Sequence, residues 1–504
     1  RLKREDRLCH VSSFEDMPRH KPFELDLKLT NIFSTEERGG IAGNLAYAVV
    51  AQGIGLLSSI LTSLVLPKFL GVEDYAYWQL FLLYSSYSGF ALLGLNDGIY
   101  LRLGGKRYSE VNHGELKAQQ CVVAASQLLV AACCLAAVLA AGFEPYRSLV
   151  LALCVFFGLL TNLTQCLRYV FQCTNLTRIS SLADLFSKGL FVAFMMTVLL
   201  AGVNSSLPFI LGYIACQALA LLYVLICARS TLRSKAAFKG VLRTCAADVR
   251  AGLKVMVAYY ADSLIVGFTR MLTDWQLGLT AFGKLSLSFS LTNFVLGFIG
   301  QVSMVAFPVL KRLDAEGQRE KYLAIRLLLH TALPCAYLLY VPAKLVLGLW
   351  LPAYSKSLVY LALTMPLCVY SCKANLLFNT YLKIGRREGT LCTVNVAAMI
   401  LNAVLALASI VGLASVELAT CGIVASVALR DLAFELIISR RFGNPVVHFC
   451  VSEALITAGF MTASWFLGAW SWPVVLLMLV AYLWCDRDGV RLVVTGARKR
   501  LGRG

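Results

Sequence analysis

Residues 182–227 read LADLFSKGLFVAFMMTVLLAGVNSSLPFILGYIACQALALLYVLIC. Two apolar stretches, 182–203 and 207–227, flank the short polar turn Asn204-Ser205-Ser206. Each has about the 20 residues that a helix needs to cross the hydrocarbon core of a bilayer. The basic segment 228–254 follows, with Arg229, Arg233, Lys235, Lys239, Arg243, Arg250 and Lys254. The unit is a helical hairpin with its charge collected at one end. Working outward in both directions, the same pattern recurs until about 14 spans cover residues 41–485.

Composition agrees. The 504 residues are 59% hydrophobic and 15% charged, and the mean hydropathy is +0.72. Soluble domains carry about 25% charged residues, so a water-soluble enzyme is excluded. With 46 Lys and Arg against 28 Asp and Glu, the net charge is +18. In a soluble chain this would suggest nucleic acid. Here the cations fall in alternate loops. The set beginning with the N-terminus holds most of them, while the opposite set holds Lys68, Arg147, Arg270, Lys284 and Lys356. This bias places both termini in the cytoplasm and makes the span number even. No nucleic-acid partner is expected.

The expected layout is a charged cytoplasmic extension (1–40), a first six-span lobe (41–227), a basic linker or interfacial amphipathic helix (228–251), a second six-span lobe (252–437), two C-terminal spans (438–485) and a basic tail (486–504). The extension, with 8 acidic and 8 basic residues, reads as flexible. The chain starts at Arg1, without Met or a signal-type apolar region, so part of the native N-terminus is expected to be missing. The tail motif Arg498-Lys499-Arg500 suits anionic membrane lipids. Pro334 and Pro342 mark breaks in the ninth span. A faint repeat links Phe69-Leu70-Gly71 and Tyr77-Trp78-Gln79-Leu80 with Met271-Leu272 and Phe282-Gly283-Lys284-Leu285.

No Walker loop, GxSxG or HExxH signature is present. The 17 cysteines lack metal spacing and read as packing residues. No metal or cofactor is expected, and the chain does not read as an enzyme. A glycosyltransferase would need an acidic residue at a loop–membrane boundary, and Asp97 and Asp274 stand isolated for that role.

Ionisable residues inside spans are costly, and so are functional candidates. Arg270, Lys284 and Lys373 are expected to be unpaired cations lining an anion-binding cavity, with Arg168, Asn375 and Gln52 as further polar contacts. Arg suits bidentate phosphate recognition and Lys acts as a point charge. Asp262 reads as an ion-coupling residue or a partner for one of these cations. Asp184 and Lys188, four residues apart, read as neutralising each other on one helix face. Tyr259 and Tyr260 could serve sugar, phosphate or lipid. His330, the one histidine within a span, reads as a packed side chain.

The stretch from Asn44 and Gln52 to Leu66-Pro67-Lys68-Phe69-Leu70-Gly71, then Tyr77-Trp78-Gln79-Leu80, resembles the first hairpin of bacterial polysaccharide exporters. So do Leu93-Gly94-Leu95-Asn96-Asp97-Gly98-Ile99 with Arg102, and Phe282 through Arg312 with its Phe307-Pro308 before a basic turn. Leu349-Trp350-Leu351-Pro352-Ala353-Tyr354 and Asn379-Thr380-Tyr381-Leu382-Lys383 fit as well. On these motifs the chain resembles the Wzx-type O-antigen and capsule flippases, the polysaccharide branch of the MOP superfamily. The resemblance implies two six-helix lobes in a V around a central cavity, plus two C-terminal helices. It implies a bacterial inner-membrane transporter that flips an undecaprenyl-diphosphate-linked glycan by alternating access, with the polysaccharide polymerase machinery as a partner. Coupling to Na+, H+ or the membrane potential is compatible with it. Moving two negative charges outward across about 100 mV is favoured by roughly 4–5 kcal/mol. A lipid II flippase and a MATE-like drug or cation antiporter are the alternatives. The antiporter would favour an acidic cavity.

Overall fold

The computed structural model describes residues 50–311, 313–355, 357–442, 447–487 and 489–491. The extension 1–40, the start of the first span and the tail motif lie outside the described residues. The described chain is helical, as a bilayer demands, because a helix satisfies its own backbone hydrogen bonds where no water can. The first half comprises α1 (Val50–Phe69), α2 (Val72–Ser86), α3 (Leu95–Leu103), α4 (His113–Ala140), α5 (Pro145–Cys173), α6 (Thr177–Leu200) and α7 (Ser206–Cys227). The second half comprises α8 (Val241–Leu277), α9 (Leu279–Lys311), α10 (Glu316–Trp350), α11 (Ser357–Ile384), α12 (Glu388–Gly412) and α13 (Val416–Phe442). Helices α14 (Val447–Phe466) and α15 (Ser471–Cys485) close the chain.

Eleven helices among the described residues are long and apolar enough to span a membrane, which makes this a multi-pass membrane protein. Three other expected spans are helical but fall short of that measure. The second is divided into α2 and α3 by a 3-10 turn, Ser88–Leu92. The twelfth, α13, carries Glu417, Arg430, Asp431 and Glu435. The last, α15, has only 15 residues. The ninth is interrupted by a 3-10 stretch, Leu333–Leu339, that contains Pro334; Pro342 lies within the resumed helix. Proline withdraws a backbone donor and crowds the preceding turn.

Segment 228–251 differs from the expected single amphipathic helix. A five-residue helix, Arg229–Arg233, is followed by non-helical residues, and α8 then starts at Val241. Much of the basic linker is therefore the first three turns of the seventh span. Hydrogen bonds from Lys117 Nζ to the carbonyls of Leu232 (2.7 Å) and Ser234 (2.9 Å) fix the short helix against α4.

The largest apolar cluster runs across both halves, joining Trp78 and Phe81 to Phe282, Tyr340 and Phe460. Within the first half, Trp78 stacks on Phe191 with centroids 5.7 Å apart, and Phe81, Phe157 and Tyr213 surround the pair. The halves meet along a seam in which α2 lies on α9 and α3 on α8. Counted from the turn residues Gly71 and Gly278, Ala76 and Gly283 hold the same position, and they touch. A Cβ on Gly283 would lie 2.5 Å from that of Ala76. This pairing does not follow the sequence echo, which sets Phe282-Gly283 against Tyr77-Trp78. At the end carrying loop 104–112 and segment 228–240, here termed the basic end, the approach is closer still. A Cβ on Gly252 would lie 2.0 Å from the Gly94 carbonyl oxygen.

This contact tolerates no side chain. Gly252→Val should lower the midpoint of thermal unfolding in detergent, corresponding to a cost of about 1–3 kcal/mol for overpacking. Gly53→Ala, where nothing lies within 4 Å of the added atom, should leave it unchanged.

Candidate functional site: the seam between the halves

The seam is bridged at both ends. At the basic end, Arg102 on α3 donates from Nε to Asp248 on α8 at 2.8 Å, and Gln119 on α4 donates to the same carboxylate at 3.0 Å. At the opposite end, Arg147, at the start of α5, pairs with Asp274, near the end of α8, at 2.5 Å. The Tyr84 hydroxyl donates to Asp274 at 3.4 Å. Trp350 on α10 donates to the Leu64 carbonyl at 2.7 Å, and the Lys68 ammonium sits 3.4 Å above its ring. Between the ends, Ser63 and Ser290 hydroxyls lie 2.7 Å apart. Tyr87 donates to the Ser263 carbonyl at 3.1 Å, and Tyr260 stacks on Phe90 at 4.0 Å. Tyr260 is thereby part of the seam, whereas Tyr259 is 69% exposed.

Arg270 lies inside this seam. It is buried, donating from Nη2 to Gln79 Oε1 on α2 at 3.1 Å and from Nε to Ser286 Oγ on α9 at 3.2 Å. The Phe282 ring lies 5.4 Å from its guanidinium carbon. Gln79 and Ser286 occupy matching positions, eight residues after Gly71 and Gly278 respectively. Equivalent positions of the two halves therefore hold one guanidinium between them. Four Lys and Arg residues are buried among the described residues: Arg270, Arg326, Lys373 and Arg430. Arg270 is the one with no described carboxylate within 4 Å. Lys284, half-buried two residues before Ser286, also has none among the described residues.

The other candidates fall elsewhere. Lys373, expected to be unpaired, is held by Glu435 on α13 at 2.6 Å and Glu453 on α14 at 2.7 Å. Arg326 joins Glu435 at 2.6 Å. His330 contacts Glu453 at 3.1 Å and the Tyr482 hydroxyl of α15 at 2.8 Å. This network ties α14 and α15 to the second half. It contains His330, expected as a packed residue, in a polar role. Asn375 follows Lys373 in a π-helical stretch, Ala374–Phe378, and accepts from Asn379 at 3.2 Å. Asp262 pairs with Arg430, which also binds Asp431 at 3.1 Å. In the first half Asp184 pairs not with Lys188 but with Arg168 on the neighbouring helix, at 2.5 Å. Lys188 instead lies along α1 beside Gly55, one turn beyond Gln52, which is half-buried.

The lipid II flippase MurJ, in an inward closed conformation, superposes with a TM-score of 0.58 at 11% identity, over 91% of this chain and 100% of that one. An inward-facing multidrug resistance MATE family transporter of the MOP superfamily gives 0.49 at 13% identity, over 80% and 98%. An outward-facing one gives 0.47 at 14%, over 82% and 99%. The fold is similar to that of MurJ. No protein-family model matches the chain, and no curated protein does either.

Sequence reasoning missed Gln79, Tyr84, Arg147 and Glu453, whose roles depend on contacts between helices distant in the chain. Asp274 carried a readable signal, because it stands four residues after Arg270 and would be its natural partner by spacing. The structure assigns it to Arg147 instead.

The Lys373 network is a structural element with a measurable worth. Lys373→Met would remove the cation shared by Glu435 and Glu453, leaving Arg326 on the first and His330 on the second, at a cost of about 3–5 kcal/mol. A large fall in the thermal midpoint of the purified protein is expected. The double variant Lys373→Met/Glu453→Gln should recover part of it.

Proposed function

We propose that this protein is a transporter that flips a polyprenyl-diphosphate-linked oligosaccharide between leaflets of the bacterial inner membrane by alternating access. The observation that carries the reading is Arg270: a buried guanidinium on the seam, held by neutral partners. A buried cation without a counter-charge is destabilising, so its retention suits a ligand that supplies the negative charge. A diphosphate supplies it and matches the planar donor fork of arginine. Lys284 adds a second positive charge on the adjoining helix. The five buried Asp and Glu residues among those described (Asp248, Asp274, Asp431, Glu435 and Glu453) are each committed to a cation. That balance favours an anionic substrate over the cationic drugs of an antiporter.

In this reading the basic end faces the cytoplasm, following the charge bias of the loops. The diphosphate head enters from there, binds at Arg270 and leaves at the opposite end, while the polyprenyl chain stays in lipid. The membrane potential alone would favour outward movement of two negative charges by roughly 4–5 kcal/mol at about 100 mV. Lipid II is a member of the same substrate class, so a lipid II flippase is the nearest variant of the proposal, and the mass of the glycan separates the two.

The test is depletion of the protein followed by extraction of cellular lipids. A polyprenyl-diphosphate-linked oligosaccharide should accumulate in the cytoplasmic leaflet, with loss of surface polysaccharide. Re-expressed wild-type protein should clear it, and Arg270→Gln at equal expression should restore export about tenfold less well, the equivalent of one lost charge-assisted contact. Wild-type export by Arg270→Gln would remove the anion-site argument. Normal lipid pools with altered drug tolerance would favour the antiporter.

A further inference from the structure

Asp274 sits where the closure of the seam and the charge of Arg270 meet. Its side chain is fully buried, and Oδ2 accepts from Arg147 and from Tyr84. Oδ1 and Arg147 Nε have no hydrogen-bond partner among the described residues. The contact is therefore incomplete on both sides. Arg147 and Tyr84 both belong to the first half, while Asp274 belongs to α8 of the second. Separation of the halves at this end would strip Asp274 of both partners together. Arg270 travels with Asp274, because the two stand four residues apart on α8, a spacing that lets their side chains pair without any change of backbone. The same separation would also take Gln79 away from Arg270, since Gln79 is on α2.

We propose that Asp274 is a release residue. While the end opposite the basic loops is closed, Arg147 holds its carboxylate and Arg270 is free to hold a diphosphate. When that end opens, Asp274 loses Arg147, turns to Arg270 and displaces the anion. A carboxylate that loses its cation is drawn to the nearest remaining one, and Arg270 is the cation that stays within reach on its own helix. Opening and ligand release are thereby one event. Coupling of this kind is reciprocal: a bound diphosphate, by occupying Arg270, leaves Asp274 to Arg147 and favours the closed seam. The proposal rests on the reading of Arg270 as the diphosphate contact and assigns a control to that same site.

The handover makes Asp274 and Arg147 act in opposite directions, which a simple latch would not. The full chain, purified in detergent, is titrated calorimetrically with geranyl diphosphate. Asp274→Asn removes the competitor for Arg270 and should bind about tenfold more tightly than wild type. Arg147→Gln frees the competitor and should bind about tenfold more weakly, both within the usual range of coupling between sites. Asp274→Glu keeps the charge and should resemble wild type. Shifts of the same sign in Asp274→Asn and Arg147→Gln would overturn the handover while leaving the Arg270 site intact. If Asp274→Asn does not fold, Arg147→Gln decides alone, and unchanged or tighter binding there overturns the proposal. Absent binding by wild type, or binding that Arg270→Gln leaves unaltered, would overturn the functional reading and the handover with it.

Discussion

A guanidinium inside a membrane bundle is expensive unless something answers its charge. One such guanidinium, Arg270 on the seam, meets no carboxylate among the described residues. The other buried cations, Arg326, Lys373 and Arg430, meet carboxylates from neighbouring helices. Arg270 meets an amide and a hydroxyl, one from each half. Its partners stand eight residues after Gly71 and Gly278, and the packing of the seam brings both onto it.

The seam itself follows from a steric requirement. Helices α3 and α8 approach so closely at Gly94, Gly98 and Gly252 that backbone meets backbone. Polar residues then bridge the rest of its length: Arg102 to Asp248 at the basic end, Arg147 to Asp274 at the other. Each bridge joins elements of different halves, so each must break for the halves to rock apart. Ion pairs of this type are poor sources of stability once desolvation is counted. They suit contacts that form and break. The network around Lys373 is different in kind, because its members all lie in the second half and the C-terminal pair.

The helical spans and the fold class were legible because they depend on composition and periodicity, which a bilayer makes stringent. The hairpin at 182–227 already contained that information. The pairing of charges was not legible, since it is decided between helices. Asp184 has Lys188 one turn away in sequence and takes Arg168 from α5 instead. Lys373 has no acidic neighbour on its own helix and takes two from α13 and α14. The sequence echo did not foretell the contact between Ala76 and Gly283, which is decided by how α2 and α9 pack. Of the expected anion contacts, the structure places Arg270 and Lys284 on adjoining helices at the seam. It gives Lys373 and Arg168 other partners.

Whether the seam carries an anionic lipid head is decided by reconstitution. The protein is incorporated into vesicles with a fluorescent polyprenyl-diphosphate oligosaccharide, and membrane-impermeant dithionite reports the leaflet of the label over time. The account predicts movement well above that in protein-free vesicles, and its loss with Arg270→Gln. Movement no faster than in protein-free vesicles, in preparations that still transport a cationic drug, would contradict it.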